Sequence, residues 1–336
     1  MRRARISFLL PLLSMLGACH SVVLAPAGDV AAQQGHLVIV ATALMLLVVA
    51  PVMALTVLFA WRYRASGKGR YEPQWSHATQ LELIIWAAPL LIIICLGALT
   101  WTSTHQLDPF RPLTRIERGR PLLNKDRQLT VQVIALDWKW LFIYPQLRIA
   151  TVNELVVPLD TPLDLSITAA SVMNSFYAPA LAGQVYAMPG MQTQLHAVLN
   201  TAGDYEGFSA NYSGAGFSGM RFRLRGLPAP AFERWLAEVR AAGRQLDRAA
   251  YLRLARPSEN EPLHRYAAVE PALYGAVLRM CVAPGTPCTG MPGLADTVPA
   301  DRPTRTAALT GAGLPPPSSL PNSLTSASVA SRRFNP

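Results

Sequence analysis

Between Ser209 and Met220 the chain reads Ser209-Ala-Asn211-Tyr-Ser213-Gly-Ala-Gly-Phe217-Ser-Gly-Met220. The spacing is that of a metal-binding loop, but the donors are nearly all missing. Serine hydroxyls are hard, neutral donors that do not ionise near neutral pH, and Phe217 donates nothing. Soft copper needs thiolates and imidazoles, so the thioether of Met220 alone cannot hold it. A second soft set, Met280, Cys281, Cys288 and Met291, has two readings. In an oxidising compartment the two cysteines close a short disulfide loop; alternatively the four side chains catch Cu(I). His36, His77, His105, His196 and His264 are scattered rather than paired at ligand spacing, so no haem is expected within this chain. No phosphate-cradling glycine loop, His-Glu-x-x-His or nucleophile elbow occurs.

The elements that must position the loop are legible. Residues 1–18 carry Arg2, Arg3 and Arg5, then an apolar run to Leu16, and end before Cys19 in Leu16-Gly-Ala-Cys19. That is a signal peptide with a lipobox, which makes Cys19 the acylated N-terminus of the mature chain. Residues 19–36 form the lipidated N-terminal segment. Leu37 to Trp61 and Leu83 to Thr102 contain no charged residue, and each is long enough to cross a hydrocarbon core of about 30 Å. Trp61, Tyr63, Trp75, Trp86 and Trp101 suit the two interfaces, and the linker with Arg62, Arg64, Lys68 and Arg70 suits the cytoplasm. A hairpin over 37–103 then leaves everything from residue 104 outside the inner membrane. Cys95, within the second span, reads as a small packing residue.

Residues 128–226 alternate apolar and polar side chains, as in Leu129, Val131, Val133 and again in Leu163, Leu165, Ile167, with Gly and Pro between the runs. Period two with such punctuation predicts a β-sandwich. Phe232, Trp235, Leu236 and Val239 fall at helical spacing within Pro230–Gly243, and Leu246–Ala255 predicts another helix. The expected organisation is therefore a sandwich domain over 104–228, a helical extension over 229–283, and a Pro- and Ser-rich tail over 284–336 without periodicity.

Apolar residues make up 51% of the chain and charged residues 15%, as two spans diluting an ordinary domain require. The net charge of +10 falls to +7 when the three signal-peptide arginines are subtracted (10 − 3). No basic run interleaved with aromatics is present, and nucleic acid is excluded as a partner.

Several blocks in order resemble subunit II of the haem–copper respiratory oxidases: Trp61-Arg-Tyr-Arg-Ala65, Trp75-Ser-His77, Asp137-Trp-Lys-Trp140-Leu-Phe-Ile-Tyr-Pro145, Ala150-Thr-Val-Asn-Glu154, Ser171-Val-Met-Asn174-Ser175-Phe176, Tyr186-Ala-Met-Pro-Gly-Met191 and the Ser209–Met220 loop. The cytochrome c-oxidising branch carries Cys-x-Glu-x-Cys-x-x-x-His-x-x-Met in that loop, plus an upstream histidine. Here Ser209, Asn211, Ser213, Phe217 and Asn174 stand at those positions, and only Met220 matches. The pattern resembles the quinol-oxidising branch, the cytochrome bo-type ubiquinol oxidases. The resemblance covers about residues 19–275. It implies a membrane α+β chain: a two-helix hairpin, then a cupredoxin-type Greek-key sandwich without copper and short C-terminal helices. It also implies that the haems, the active-site copper and the quinol site lie in subunit I, with other small membrane subunits and lipids as further partners.

Two blocks invite function. Glu82 lies at the cytoplasmic mouth of the second span beside Thr79 and Gln80; the resemblance implies the entrance of a proton path, whereas the plain reading is a carboxylate favourable at a helix start. The Trp138–Tyr144 aromatic cluster reads as packing that fills the sandwich edge and presses on the catalytic subunit. The runner-up functions are a degenerate cytochrome c oxidase subunit II and a free-standing ligand-binding lipoprotein.

Overall fold

The computed structural model of the chain describes residues 22–67, 74, 77–122 and 128–289. Cys19, Met291 and the residues from 290 onward lie outside them.

Helix α1 (Asp29–Arg62) and helix α2 (Thr79–Gln106) form the hairpin. Both extend beyond the charge-free stretches at each end. The helical backbone runs through polar Asp29, Gln33 and Gln34 at the start of α1 and through Thr79, Gln80 and Glu82 at the start of α2, so the charge-free segment marks only the apolar middle of each rod. Their apolar side chains point outward, with Trp86 78% exposed, and in an isolated chain such a surface requires lipid or a partner. Cys95 is a free thiol exposed on this surface.

The hairpin is pinned to the sandwich at its first residues. The amides of Ala27 and Gly28 both donate to Ala180 O at 3.0 Å, and Asn200 N returns a bond to Ala27 O at 2.8 Å. A Cβ on Gly28 would sit 2.4 Å from Val198 O and 3.0 Å from Leu181 O. Backbone cannot yield as a flexible side chain can. We therefore expect Gly28→Val to destabilise the chain by about 3 kcal/mol, the upper part of the overpacking range. A lowered thermal midpoint of the full-length chain in detergent would register it, and an unchanged midpoint would show that the junction is loose.

A small hairpin, β1 (Arg115–Glu117) and β2 (Arg120–Pro121), follows α2. The sandwich is then built from β3 (Leu129–Leu136), β4 (Lys139–Tyr144), β5 (Ile149–Val152), β6 (Glu154–Pro158), β7 (Pro162–Ala169), β8 (Asn174–Tyr177), β9 (Val185–Ala187), β10 (Thr193–Val198), β11 (Gly203–Ser209) and β12 (Arg221–Leu227). Among the described residues one sheet has the order β10-β7-β3-β4-β5, continued past β5 by a late strand, β14 (His264–Tyr266), and the other has the order β6-β12-β11-β8-β9. The β3–β7 and β12–β6 pairs are parallel and the remaining pairs antiparallel. This is the cupredoxin-like sandwich that the alternating runs and the resemblance imply.

The extension after residue 228 is more than helical. Helices α3 (Ala229–Ala241), α4 (Arg248–Leu254) and α5 (Leu273–Leu278) are interleaved with strands: β13 (Gln245–Leu246) and β15 (Ala268–Val269) pair with each other, and β14 (His264–Tyr266) adds to the larger sheet beside β5. Short strands of two or three residues leave too little periodicity to be read from sequence.

Strand β4 shows why the sandwich holds. Trp140, Phe142 and Tyr144 enter the core between the sheets, while Leu141 and Ile143 face α4 and α5. Period two thus serves two cores from one strand. Phe176 and Phe222 stack at 5.1 Å, Trp140 meets Phe176 edge-on at 5.4 Å, and Tyr144 meets Trp235 of α3 at 5.8 Å. The expectation for 138–144 is corrected here: β4 lies inside the larger sheet rather than at its edge, and its side chains from Lys139 to Tyr144 are buried within this chain. The extension of this same chain covers the face that carries Leu141 and Ile143.

Candidate functional site

The loop from Ser209 to Met220 joins β11 to β12 and contains a short 3-10 turn, Ala215–Gly219. Pairing of β11 with β8 sets Ser209 beside Phe176, and this brings Asn174 within reach. Ser209 Oγ donates to Asn174 Oδ1 at 3.1 Å, and the Asn174 amide donates to Val172 O at 3.1 Å. Asn211 Nδ2 donates to Met173 O at 3.3 Å. Asn174 and Ser209 are both buried, so their polar groups must be satisfied internally, and they satisfy each other.

The other positions are turned elsewhere. Phe217 packs against Tyr212, ring centroids 5.6 Å apart. Ser213 lies under Trp138, whose Nε1 donates to Ser213 O at 3.0 Å. The indole needs a flat seat. Gly214 adopts φ +114°, and a Cβ on Gly216 would fall 2.5 Å from the Trp138 ring, so glycine is required at both. Met220 is fully buried in the apolar core of the sandwich. The fold thus gathers Asn174, Ser209 and Asn211, but Ser213, Phe217 and Met220 serve packing. An amide and a hydroxyl bonded to each other, with one thioether committed to the core, form a donor set that does not fit copper.

At the opposite end of the hairpin Glu82 occupies the first turn of α2, half-exposed, with Oε1 2.8 Å from His77 Nδ1. In the sequence His77 stands as a scattered histidine and as part of the Trp75-Ser-His77 block, and the five-residue offset across a helix start conceals the contact. Cys281 and Cys288 are joined by a disulfide, Cα to Cα 4.7 Å. Their sulfurs are therefore committed to each other in this structure, and Met291 lies outside the described residues.

Two polar locks join residues far apart in the sequence. Glu154, 1% exposed, accepts from Arg265 Nε at 3.0 Å and Nη2 at 3.1 Å, from Arg225 Nη1 at 3.2 Å and from Trp235 Nε1 at 3.4 Å. It ties β6 to β12, β14 and α3. Lys139, equally buried, donates to Arg256 O at 2.8 Å and to Ser258. Burial lowers the Lys139 pKa, opposed by Glu261 and Asp137. Asn153 sits at φ 57°, accepting from Trp140 N at 2.9 Å and donating to Glu261 O at 2.8 Å. A buried charge signals a partner, but no pattern says that the partner lies more than a hundred residues away.

The stretch 143–226 matches the family model described as cytochrome c oxidase subunit II, periplasmic domain, and 240–285 matches the COX aromatic rich motif. Over 273 residues the chain is 48% identical to cytochrome bo(3) ubiquinol oxidase subunit 2 of Pseudomonas putida, covering 80% of this chain and 84% of that protein. The chain belongs to the ubiquinol oxidase subunit 2 family. Ubiquinol oxidase subunit 2 of Acetobacter aceti is 45% identical, covering 79% of this chain and 84% of its own length. Cytochrome bo(3) ubiquinol oxidase subunit 2 of Pseudomonas aeruginosa strain PAO1 is 46% identical, over 79% of this chain and 77% of its own. As a member of this family the chain is a subunit of a haem–copper oxidase complex, and its two apolar helices fit a membrane-anchored oxidase subunit.

Proposed function

We propose that the chain is the non-catalytic subunit II of a proton-pumping quinol oxidase, which passes electrons from membrane quinol to oxygen through haems and copper in subunit I. The observation that carries this reading is the Ser209–Asn174 hydrogen bond at 3.1 Å, formed where a copper relay would need thiolate and imidazole. A complex fed by quinol within the membrane needs no relay facing the water. The subunit anchors and stabilises subunit I, with Cys19 carrying acyl chains at the outer face of the inner membrane and the sandwich in the periplasm. The basic linker of the hairpin supports that orientation. The rival reading, a degenerate cytochrome c oxidase subunit, requires an electron relay for which the loop offers only the thioether of Met220.

Glu82 is the proton-path entrance in this proposal. Its position in the first turn of α2 beside His77 supports exchange with the cytoplasm. In the intact complex Glu82→Gln is expected to lower turnover and proton uptake several-fold while haem content stays unchanged. Turnover and uptake equal to those of the wild type would leave Glu82 as a helix-start carboxylate only.

A further inference from the structure

Where the hairpin meets the sandwich there is a polar corner that the oxidase reading does not use. A cavity of about 350 Å³ opens between the first turns of α1, the link that follows α2, and β10. Its walls are electrically balanced, because Asp29 is held by Arg115 at 2.8 and 3.1 Å and also accepts from Gln33 at 2.8 Å. His196 lines the cavity with a side chain only 10% exposed. Apart from Asp164 at 3.8 Å, its ring has no polar partner among the described residues. Asp164 in turn has a buried Oδ1 without a hydrogen-bond partner, and burial raises its pKa against the pull of His196.

The same corner continues onto α2. Ile93, Gly97, Trp101 and His105 recur every four residues and line an open groove, so they form one helix face. Gly97 leaves a dent, with no atom within 4 Å of where a Cβ would be. The Trp101 ring lies 4.5 Å from His105, at the level where tryptophan marks a membrane–water interface. Arg111 joins the two features. It lines the cavity, and its Nη1 donates to His105 O at 3.2 Å, which leaves its remaining N–H groups without a partner among the described residues.

We propose that this corner binds one membrane phospholipid, with its phosphate on Arg111, its head group in the cavity beside His196, and an acyl chain along the groove from Ile93 to Trp101. A guanidinium with free N–H groups suits a phosphate. Neutral amides and an imidazole around a charge-balanced cavity suit the rest of a polar head. The groove contributes shape rather than affinity, because lipid tails are as apolar as the side chains they would touch. Selectivity therefore lies in the head-group contacts.

The test uses the intact, detergent-purified complex. It is stripped of exchangeable lipid, mixed with vesicles of deuterated phosphatidylethanolamine, washed, and weighed by native mass spectrometry. Arg111→Gln and Gly97→Leu are each expected to retain one deuterated lipid fewer than the wild type, with haem content and oxygen uptake unchanged. Should the leucine hinder assembly, the Arg111 variant decides alone. An equal count in wild type and variants overturns the proposal, including the case in which the subunit's own acyl chain or a neighbouring subunit fills the corner. The proposal rests on the helices being membrane spans; release of the complex without detergent would defeat that premise separately.

Discussion

Glu154→Ala is expected to lower the stability of the full-length chain by about 3 kcal/mol, near the lower end for breaking a buried ion pair. The size follows from burial. The carboxylate is 1% exposed and its arginines about a quarter exposed, so removing it strands two guanidiniums that are only partly solvated. Arg225 retains Asp204 at 3.0 Å and Arg265 retains Glu238 at 3.4 Å, and this keeps the loss from being larger. For a domain of this size that corresponds to a drop of about 6–12 °C in thermal midpoint, readable from tryptophan fluorescence because Trp235 contacts the same carboxylate. Glu154→Gln retains hydrogen-bonding capacity and should lose less. Glu238→Ala removes an exposed partner, 65% accessible, and should change stability by no more than about 0.5 kcal/mol. Equal effects at 154 and 238 would show that the buried cluster contributes no more than a surface pair.

The second large effect is a gain. Asn174→His, Ser209→Cys, Asn211→Glu, Ser213→Cys and Phe217→His together are expected to give a loop that retains copper through desalting, where the unsubstituted chain should retain none, with an intense visible thiolate-to-copper absorption. The backbone already delivers three of the five positions to one place, since Asn174 and Ser209 touch at 3.1 Å and Asn211 bonds to Met173 O beside them. Thiolates at 209 and 213 supply the bridging donors and imidazoles at 174 and 217 the terminal ones. Two local costs oppose the gain: Phe217 leaves its contact with Tyr212, and Met220 must turn out of the core to become a ligand. Restoring Ser209 in this background removes one bridging thiolate and should abolish the absorption. No retained copper in the fivefold variant would mean that the loop has drifted too far for ligands alone to rebuild the centre.

How much of this was legible in the sequence depends on the range of the interaction. The hairpin, the alternating strands and the stripe of α3 are local patterns, and Phe232, Trp235, Leu236 and Val239 are buried where helical spacing places them. The replacement of metal donors at Asn174, Ser209, Asn211, Ser213 and Phe217 can be read residue by residue, because donor chemistry belongs to each side chain alone. What escaped is long-range. Lys139 and Glu154 sit in strand-like stretches that look ordinary, and their partners at Arg256, Ser258 and Arg265 lie in the extension. Strands β13, β14 and β15 are too short to signal. The aromatic run at 138–144 was legible as core but not in its location, because sequence gives a strand's two faces without saying what covers each.

The most direct measurement is isolation of the intact complex through this subunit in mild detergent, with haem and copper determined in the eluate and oxygen uptake assayed on quinol and on reduced cytochrome c. Quinol-dependent uptake, haem and copper that leave with the large partner when it is stripped away, and no copper remaining on this chain are the predicted result. Uptake driven by reduced cytochrome c, or copper that stays on the separated subunit, would contradict the account.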